Sequence, residues 1–434
     1  MDSIRVVNSE EIQEENISQF IPRTKAELDS IRDSVNNIIN NVRVNKDKAL
    51  LEYSKKFDNV ELETSDLQVV EEEINEAYDK IDSKLLEALR YAKKNLIKFH
   101  QAQKREDWSI EIEKGVVAGQ VYRSLDSVGI YVPGGKAIYP STVLMAATPA
   151  FVAGVKNVII CTPPQKDKKI APEILVAAKE FGISQIFKVG GAQAVAAMAF
   201  GTEIIPKVLK IVGPGSKWVN VAKQLLSTVV AIDTPAGPSE ILIIADDSSN
   251  YRQVIVDFLS QIEHDPENIG IIITTSKELI ENIKNNIDSF IEKTERKEII
   301  QTALKKNSLL VKAKGIEECV RVSNIIAPEH LEILPDNPKE VLKKITSAGA
   351  IFLGPFSPVP LGDYSAGTNH ILPTGGNAKK YSGLNVYDFL KTIDVLECDI
   401  NGLKTLSESA TTIAQFEGFY EHKNSVEERL KEKK

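Results

Sequence analysis

Four of the chain's five histidines, at positions 264, 330, 370 and 422, fall in its second half near carboxylates. The segment around His264 reads QIEHDP and closes an apolar-periodic helix, Tyr251–His264, because Pro266 disfavours continuation past Asp265. Gln261 and His264 are then three residues apart on one face of the last turn. An amide oxygen and a neutral imidazole at the carbonyl end of a helix, joined by a carboxylate such as Asp363, make a donor set suited to a borderline cation like Zn²⁺. Taken alone the same pair serves equally as a helix cap or as core. Ala327-Pro328-Glu329-His330 sets a carboxylate directly beside an imidazole. Adjacent groups of these two kinds suit successive proton transfers, since imidazole titrates near neutrality and burial tunes a carboxyl upward. The competing structural reading is a capped helix start with Glu329 favoured by the dipole.

The stretch Leu361–Tyr381, LGDYSAGTNHILPTGGNAKKY, carries Asp363, His370 and glycines 362, 367, 375 and 376 without sustained apolar periodicity. It reads as a loop held by its surroundings, where binding groups concentrate. Near the end of the chain stands Glu417-Gly418-Phe419-Tyr420-Glu421-His422. Five helical residues turn through about 140°, so Glu417 and His422 share no face unless Gly418 breaks the helix or the glutamate wraps round. Cys161, Cys319 and Cys398 lack the glycine-rich or basic surroundings of a thiolate nucleophile. His100 follows an amphipathic helix with no evident partner and reads as a surface or core residue.

These groups need a scaffold, and the rest of the chain supplies its pattern. Residues 1–25 are polar around one patch, Ile17–Ile21, and read as an arm. From Lys25 to Gln103 the spacing of Leu85, Leu89, Ala92 and Leu96 is helical. Strand and helix then alternate. Val116–Arg123 and Val128–Val132 read as strands, with a turn at Pro133–Gly135. Val155–Cys161, Ser184–Val189, Val208–Val212 and Thr228–Ile232 follow as strands, with helices at Ala171–Phe181, Gly191–Phe200 and Lys217–Leu226. Continuous β-branched runs separated by helices predict parallel strands covered on both faces, a doubly wound α/β domain. A second α/β pattern starts at Pro238, with strands Ile241–Ala245, Ile269–Thr274, Leu309–Val311 and Ala350–Leu353. Residues 388–434 read as a helical tail. Two strands run into glycine turns that open helices, at Val189-Gly190-Gly191 and Val212-Gly213-Pro214-Gly215-Ser216. Such turns let a phosphate approach free N–H groups. The complete GxGxxG fingerprint is absent, with Trp218 at the last glycine's place, so a purely structural turn is the competing reading.

Composition bounds the rest. With 434 residues the chain exceeds one ordinary core. Hydrophobic content of 42% and charged content of 26% are those of a globular protein, and a net charge of −8 without a basic face argues against nucleic acid. Three unpaired cysteines fit a reducing compartment, and MDSIRVVNSEEIQ has no apolar leader. The most apolar run, Val143–Val155, falls short of the about 20 residues a bilayer requires. The expectation is a cytoplasmic protein with no membrane partner.

Eight ordered blocks resemble the histidinol dehydrogenases: VGIYVPGGKAIYPST, FKVGGAQAVAAMAFGT, KIVGPGSKWVNVAK, IDTPAGPSEILIIAD, LSQIEHDP, APEHLEI, LGDYSAGTNHILPTGG and EGFYEHKNSV. The resemblance implies two incomplete, doubly wound Rossmann-like α/β domains, an N-terminal arm and a helical C-terminal tail reaching the partner subunit of a homodimer. Domain edges on this basis are an arm at 1–25, a first α/β domain at 26–130 with 238–381, an NAD-binding domain at 131–237 and a tail at 382–434. It implies one zinc per subunit on Gln261, His264 and Asp363, with His422 supplied by the other subunit, and Glu329 and His330 as the acid/base pair. Ser239, Gln261, His264, His330, Asp363, Glu417 and His422 would contact L-histidinol, and Tyr131, Gln193 and Ser216 would contact NAD. Ser216 departs from the family's usual asparagine, which weakens or water-bridges one cofactor contact. The implied activity is the four-electron oxidation of L-histidinol through the aldehyde to L-histidine. A related dehydrogenase acting on another small hydroxyl compound, and a silent assembly protein, are the rival readings.

Overall fold

The apolar runs between residues 127 and 353 form two all-parallel sheets in a computed structural model that describes residues 4–431, apart from Pro22, Thr24, 135–136 and 235–236. Along the chain the strands are β1 (Arg5–Asn8), β2 (Trp108–Glu113), β3 (Val116–Ser124), β4 (Ser127–Tyr131), β5 (Asn157–Thr162), β6 (Gln185–Lys188), β7 (Lys210–Val212), β8 (Ala231–Ile232), β9 (Glu240–Ala245), β10 (Ile269–Thr274), β11 (Ser308–Lys312), β12 (His330–Ile333), β13 (Ala350–Leu353) and β14 (Leu390–Cys398). The first sheet has the order β6-β5-β4-β7-β8 and the second β1-β11-β10-β9-β12-β13. In each the progression outward reverses once, between β4 and β7 and between β9 and β12. Open α/β sheets place their ligand crevices at such reversals.

Strand periodicity sorts the core. In the first sheet Val128, Ile130, Ile160 and Val212 face the helices Ser83–Gln101, Pro140–Ala153 and Pro172–Lys179. Ile159, Cys161, Phe187 and Ile211 face the opposite layer, formed by Lys25–Tyr53, Gly191–Phe200 and Lys217–Leu226. In the second sheet Ile241, Ile243 and Ile272 meet Tyr251–Ile262, Lys277–Ile291 and Lys297–Asn307. Leu242, Ile244, Ile271 and Ile273 meet Ile316–Ile326 and the arm residues Ile12, Phe20 and Ile21. Burial on both faces is why β9 and β10 are buried throughout.

Several sequence expectations change. Helices between Lys25 and Gln101, expected with residues 238–381, pack instead on the first sheet: Lys25–Tyr53 against Gly191–Phe200 and Lys217–Leu226, and Ser83–Gln101 against Pro140–Ala153. Their amphipathic stripes say that they are covered but not by which sheet. The arm is no appendage, because β1 completes the second sheet as an edge strand parallel to β11. The region 382–434 is not wholly helical. β14 pairs antiparallel with β3, which also pairs with β2, in a third small sheet. The turn read at Pro133–Gly135 runs into the undescribed residues. His100 is fully buried and has partners, with Nδ1 2.9 Å from Gln103 Oε1. Among the described residues no helix is long and apolar enough to cross a membrane.

Beyond β14 the helix Ile400–Phe416 ends at Gly418 (φ 78°), and a second helix, Tyr420–Lys431, folds back on it. Gly418 thus breaks the helix between Glu417 and His422. The hairpin exposes Ile413, Phe419 and Tyr420, and leaves Phe416 96% exposed.

Candidate active site

Glu329 and His330 stand where the helix Ile316–Ile326 gives way to β12. Ala327, in the left-handed region at φ 50°, ends the helix, and Pro328 cannot continue it. The pair therefore opens a strand, not a capped helix. Both side chains are buried. Their neighbour across the sheet is Glu240, the first residue of β9. Its N–H donates to Glu329 Oε2 at 2.9 Å, and its carbonyl lies 3.2 Å from His330 Nδ1. Glu329 Oε2 is 3.6 Å from His330 Nδ1. The bond to the Glu240 carbonyl commits Nδ1 as a donor and turns Nε2 away from it, to 3.4 Å from Asp363 Oδ1. Nε2 itself makes no hydrogen bond.

Burial pushes the Glu329 carboxyl up to about 7, although the His330 charge and the Glu240 N–H oppose the rise. Burial acts downward on His330, but the Glu329 and Asp363 carboxylates and the Glu240 carbonyl outweigh it and raise its pKa to about 9. Glu329 is thus brought to about neutrality and His330 above it, so two adjoining groups of different kinds can hold and pass protons.

Asp363 lies on a short helix, Val359–Tyr364, and not in the glycine-rich loop itself. Gly362 lets that turn close on the sheet, since a Cβ there would come 2.5 Å from the Phe352 ring. Burial works to raise the Asp363 carboxyl, yet His330, His370 and His264 together hold it below the usual carboxylate range. His370 Nδ1 is 3.0 Å from the Asp363 carbonyl. The helix carrying Gln261 ends at Ile262, so His264 lies just past the cap Glu263, one step outside the last turn. Desolvation by surrounding protein lowers the His264 pKa, with Glu263 and Asp363 opposing. Gln261 is buried, and its carbonyl accepts from Asn268 Nδ2 at 2.7 Å. Asn268 Oδ1 in turn accepts from the Ser239 N–H at 3.2 Å, so one amide braces two of the expected substrate contacts.

Gln261, His264 and Asp363 are an amide, an imidazole kept neutral and a carboxylate kept ionised, the protonation states metal ligation requires. By chemical type these donors suit a zinc ion. Among the described residues no three His, Cys, Asp or Glu side chains gather as a metal cluster within one chain. His422 does not join His264 and Asp363 there; it is exposed on the tail, with its ring 5.2 Å from that of Phe419. Glu417 is likewise exposed, at the cap of the first tail helix.

The expected nucleotide residues converge on the other sheet. Tyr131, at the end of β4, accepts the Gly191 N–H at 3.0 Å on its hydroxyl, two residues before the buried Gln193. Gly213 ends β7 at φ 116°, and a Cβ there would come 2.1 Å from the Tyr131 carbonyl, so only glycine allows the turn to sit so close. Ser216 is the exposed N-cap of Lys217–Leu226, and its hydroxyl makes no capping bond. A free hydroxyl at a helix amino end, beside the reversal of strand order, fits an anionic cofactor. Cys161 and Cys319 offer no thiolate, because burial pushes Cys161 far up and Cys319 up to about 12.

The sequence profile of the histidinol dehydrogenase family matches residues 21–430. The chain belongs to the histidinol dehydrogenase family. The histidinol dehydrogenase of Methanocaldococcus jannaschii is 49% identical over 422 residues, covering 97% of each chain. That of Clostridium acetobutylicum is 46% identical over 431 residues, covering 99% of this chain and 100% of its own. The crystal structure of histidinol dehydrogenase from Elizabethkingia anophelis superposes with a TM-score of 0.94 at 39% identity, covering 99% of both chains. Groups to which the sequence assigned no role include Glu240, Asn268 and Glu332, although Glu240 and Glu332 lie inside two of the quoted blocks. Glu332 is buried two residues after His330, accepts the Val359 N–H at 3.1 Å and sits against Asp257. The available signal was a charged residue inside an otherwise apolar strand.

Proposed function

We propose that the chain oxidises L-histidinol through L-histidinaldehyde to L-histidine, the last step of histidine biosynthesis, in the cytoplasm and as a homodimer. The observation that carries this reading is the shared hold of Glu240 on Glu329 and His330, with His330 Nε2 facing Asp363. Gln261, His264, Asp363 and the partner copy's equivalent of His422 would hold a zinc ion, which would supply a template for the substrate, and Tyr131, Gln193 and Ser216 would hold NAD, which would supply the hydride acceptor.

His330 in its neutral form, which gains population as pH rises toward about 9, takes the proton of the substrate hydroxyl at Nε2 as the carbon gives up its hydride, leaving the aldehyde. Its Nδ1–H, anchored on the Glu240 carbonyl, keeps the ring in place as the second nitrogen gains charge. Glu329 then removes a proton from water as the water oxygen bonds to the aldehyde carbon. His330 Nε2 returns its proton to the former carbonyl oxygen as that bond forms, and the resulting diol then loses a proton to His330 and a second hydride, giving the carboxylic acid, which ionises to the carboxylate. Ser239, Glu417 and His422 complete the substrate contacts in this reading. The apolar tail hairpin closes the pocket of a second copy and keeps the aldehyde from water between steps.

The test is stoichiometry. Two NADH formed per L-histidinol, with L-histidine as product, is the expected result. One NADH with accumulating aldehyde, or turnover only of other alcohols, would replace this reading by that of a related dehydrogenase.

A further inference from the structure

Glu240 is a carboxylate at the buried start of a central strand, 2% exposed, where an isolated charge would be costly. Arg23 meets it with a two-pronged fork: Nε donates to Oε1 at 3.1 Å and Nη2 to Oε2 at 3.0 Å. The Gly375 N–H adds a bond to Oε1 at 3.0 Å. The same Nη2 also donates to the Ile326 carbonyl at 2.7 Å. Ile326 is the last residue of the helix that hands over to Glu329 and His330. One guanidinium thus joins the start of β9, the end of that helix and, through Glu240, the glycine-rich loop. There is no slack in the arrangement, because a Cβ at Gly376 would fall 2.2 Å from Arg23 Nη1.

The main chain of Glu240 supplies both bonds that orient the proposed acid and base. Its N–H holds Glu329 and its carbonyl holds His330 Nδ1. Without Arg23 the carboxylate would have to take up a proton or swing toward water, and either change shifts the residue whose backbone carries those two bonds. We propose that Arg23, acting through Glu240, is a positioning residue that sets the geometry of Glu329 and His330. The inference rests on the acid/base reading of that pair. Lysine cannot reproduce the effect in full, since a point charge cannot serve both carboxylate oxygens and the Ile326 carbonyl in one plane.

The experiment uses the full-length enzyme and the variants R23M, R23K, E329Q and R23M/E329Q, each checked for a cooperative melt. R23M is expected to lower kcat by up to about 10²-fold, the effect of an ångström-scale misplacement, with KM for L-histidinol and NAD near the wild-type values. R23K should recover part of the rate. On oxidation of the aldehyde, R23M should slow E329Q by less than it slows the wild type, because one of the two groups being positioned is already disabled. A folded R23M with wild-type kcat, or a double variant slowed by the product of the single effects, overturns the positioning role and leaves the acid/base reading standing. Wild-type aldehyde oxidation by E329Q would instead take down that reading and this inference together. Should R23M fail to fold, R23K and R23K/E329Q carry the same comparison, and an unchanged kcat in R23K is the refuting result.

Discussion

Replacing Lys223 by methionine tests how the nucleotide turn is held. Lys223 and Asp233 are both buried and form an ion pair beneath Gly213. Lys223 Nζ donates to the Gly213 carbonyl at 2.9 Å, and Asp233 Oδ2 accepts the Gly213 N–H at 2.7 Å, so the pair grips both polar groups of the residue that starts the turn. K223M keeps the aliphatic volume but leaves a buried carboxylate uncompensated, which costs about 3–5 kcal/mol. At about 2–4 °C per kcal/mol for a unit of 150–250 residues, the melting temperature should fall by roughly 10 °C. In K223M/D233N the buried charge is gone and an amide oxygen still accepts from Gly213. The remaining loss should then be about 1 kcal/mol, for the carbonyl without its donor. The assay is calorimetry of the wild type, both single variants and the double variant, with KM for NAD alongside. KM for NAD should rise in K223M while KM for L-histidinol does not. A K223M enzyme destabilised by less than about 1 kcal/mol, or a double variant as unstable as the sum of the singles, would refute the reasoning.

H330N should slow oxidation of L-histidinol, and E329Q should chiefly impair oxidation of the aldehyde, each by about 10²–10⁴-fold; equal, wild-type rates of both variants on the aldehyde would contradict the assigned roles. A chain lacking residues 417–434, mixed with an H264A chain, should regain some activity if the tail serves another copy, and well-formed mixed dimers that stay inactive would place the tail on its own chain. Burial raises both members of the Glu332–Asp257 pair, to about 8 and about 6. The folded state then holds more protons than the unfolded chain, so their contribution to stability is complete below the unfolded carboxyl pKa and is lost as pH climbs through about 6 to 8. E332Q should flatten the fall in melting temperature over that window, and a slope equal to that of the wild type would count against the pair.

Much of the site was legible because its signals are local. Gln261 and His264 stand three apart beside a proline stop, Glu329 adjoins His330, and Asp363 follows directly on Gly362 just ahead of the glycine-rich loop. The parallel strands were legible for the same reason, since β9 and β10 spell burial on both faces in consecutive residues. β14 was not. Its sequence, LKTIDVLEC, is a strand exposed at every residue after Leu390, whose extended form depends on pairing with β3, far earlier in the chain. Nor was Glu240, whose partner Arg23 lies 217 residues away.

The sequence by itself settled the period of each element and the chemical kind of each candidate group, because backbone sterics and side-chain chemistry act over a few residues. Tertiary structure decided which sheet the helices between Lys25 and Gln101 cover, which nitrogen of His330 is committed, and why a carboxylate can open β9. Those outcomes depend on desolvation and on hydrogen-bond partners delivered by distant segments. No local pattern encodes which groups will share a buried place, and that sharing sets the protonation of Glu329 and His330.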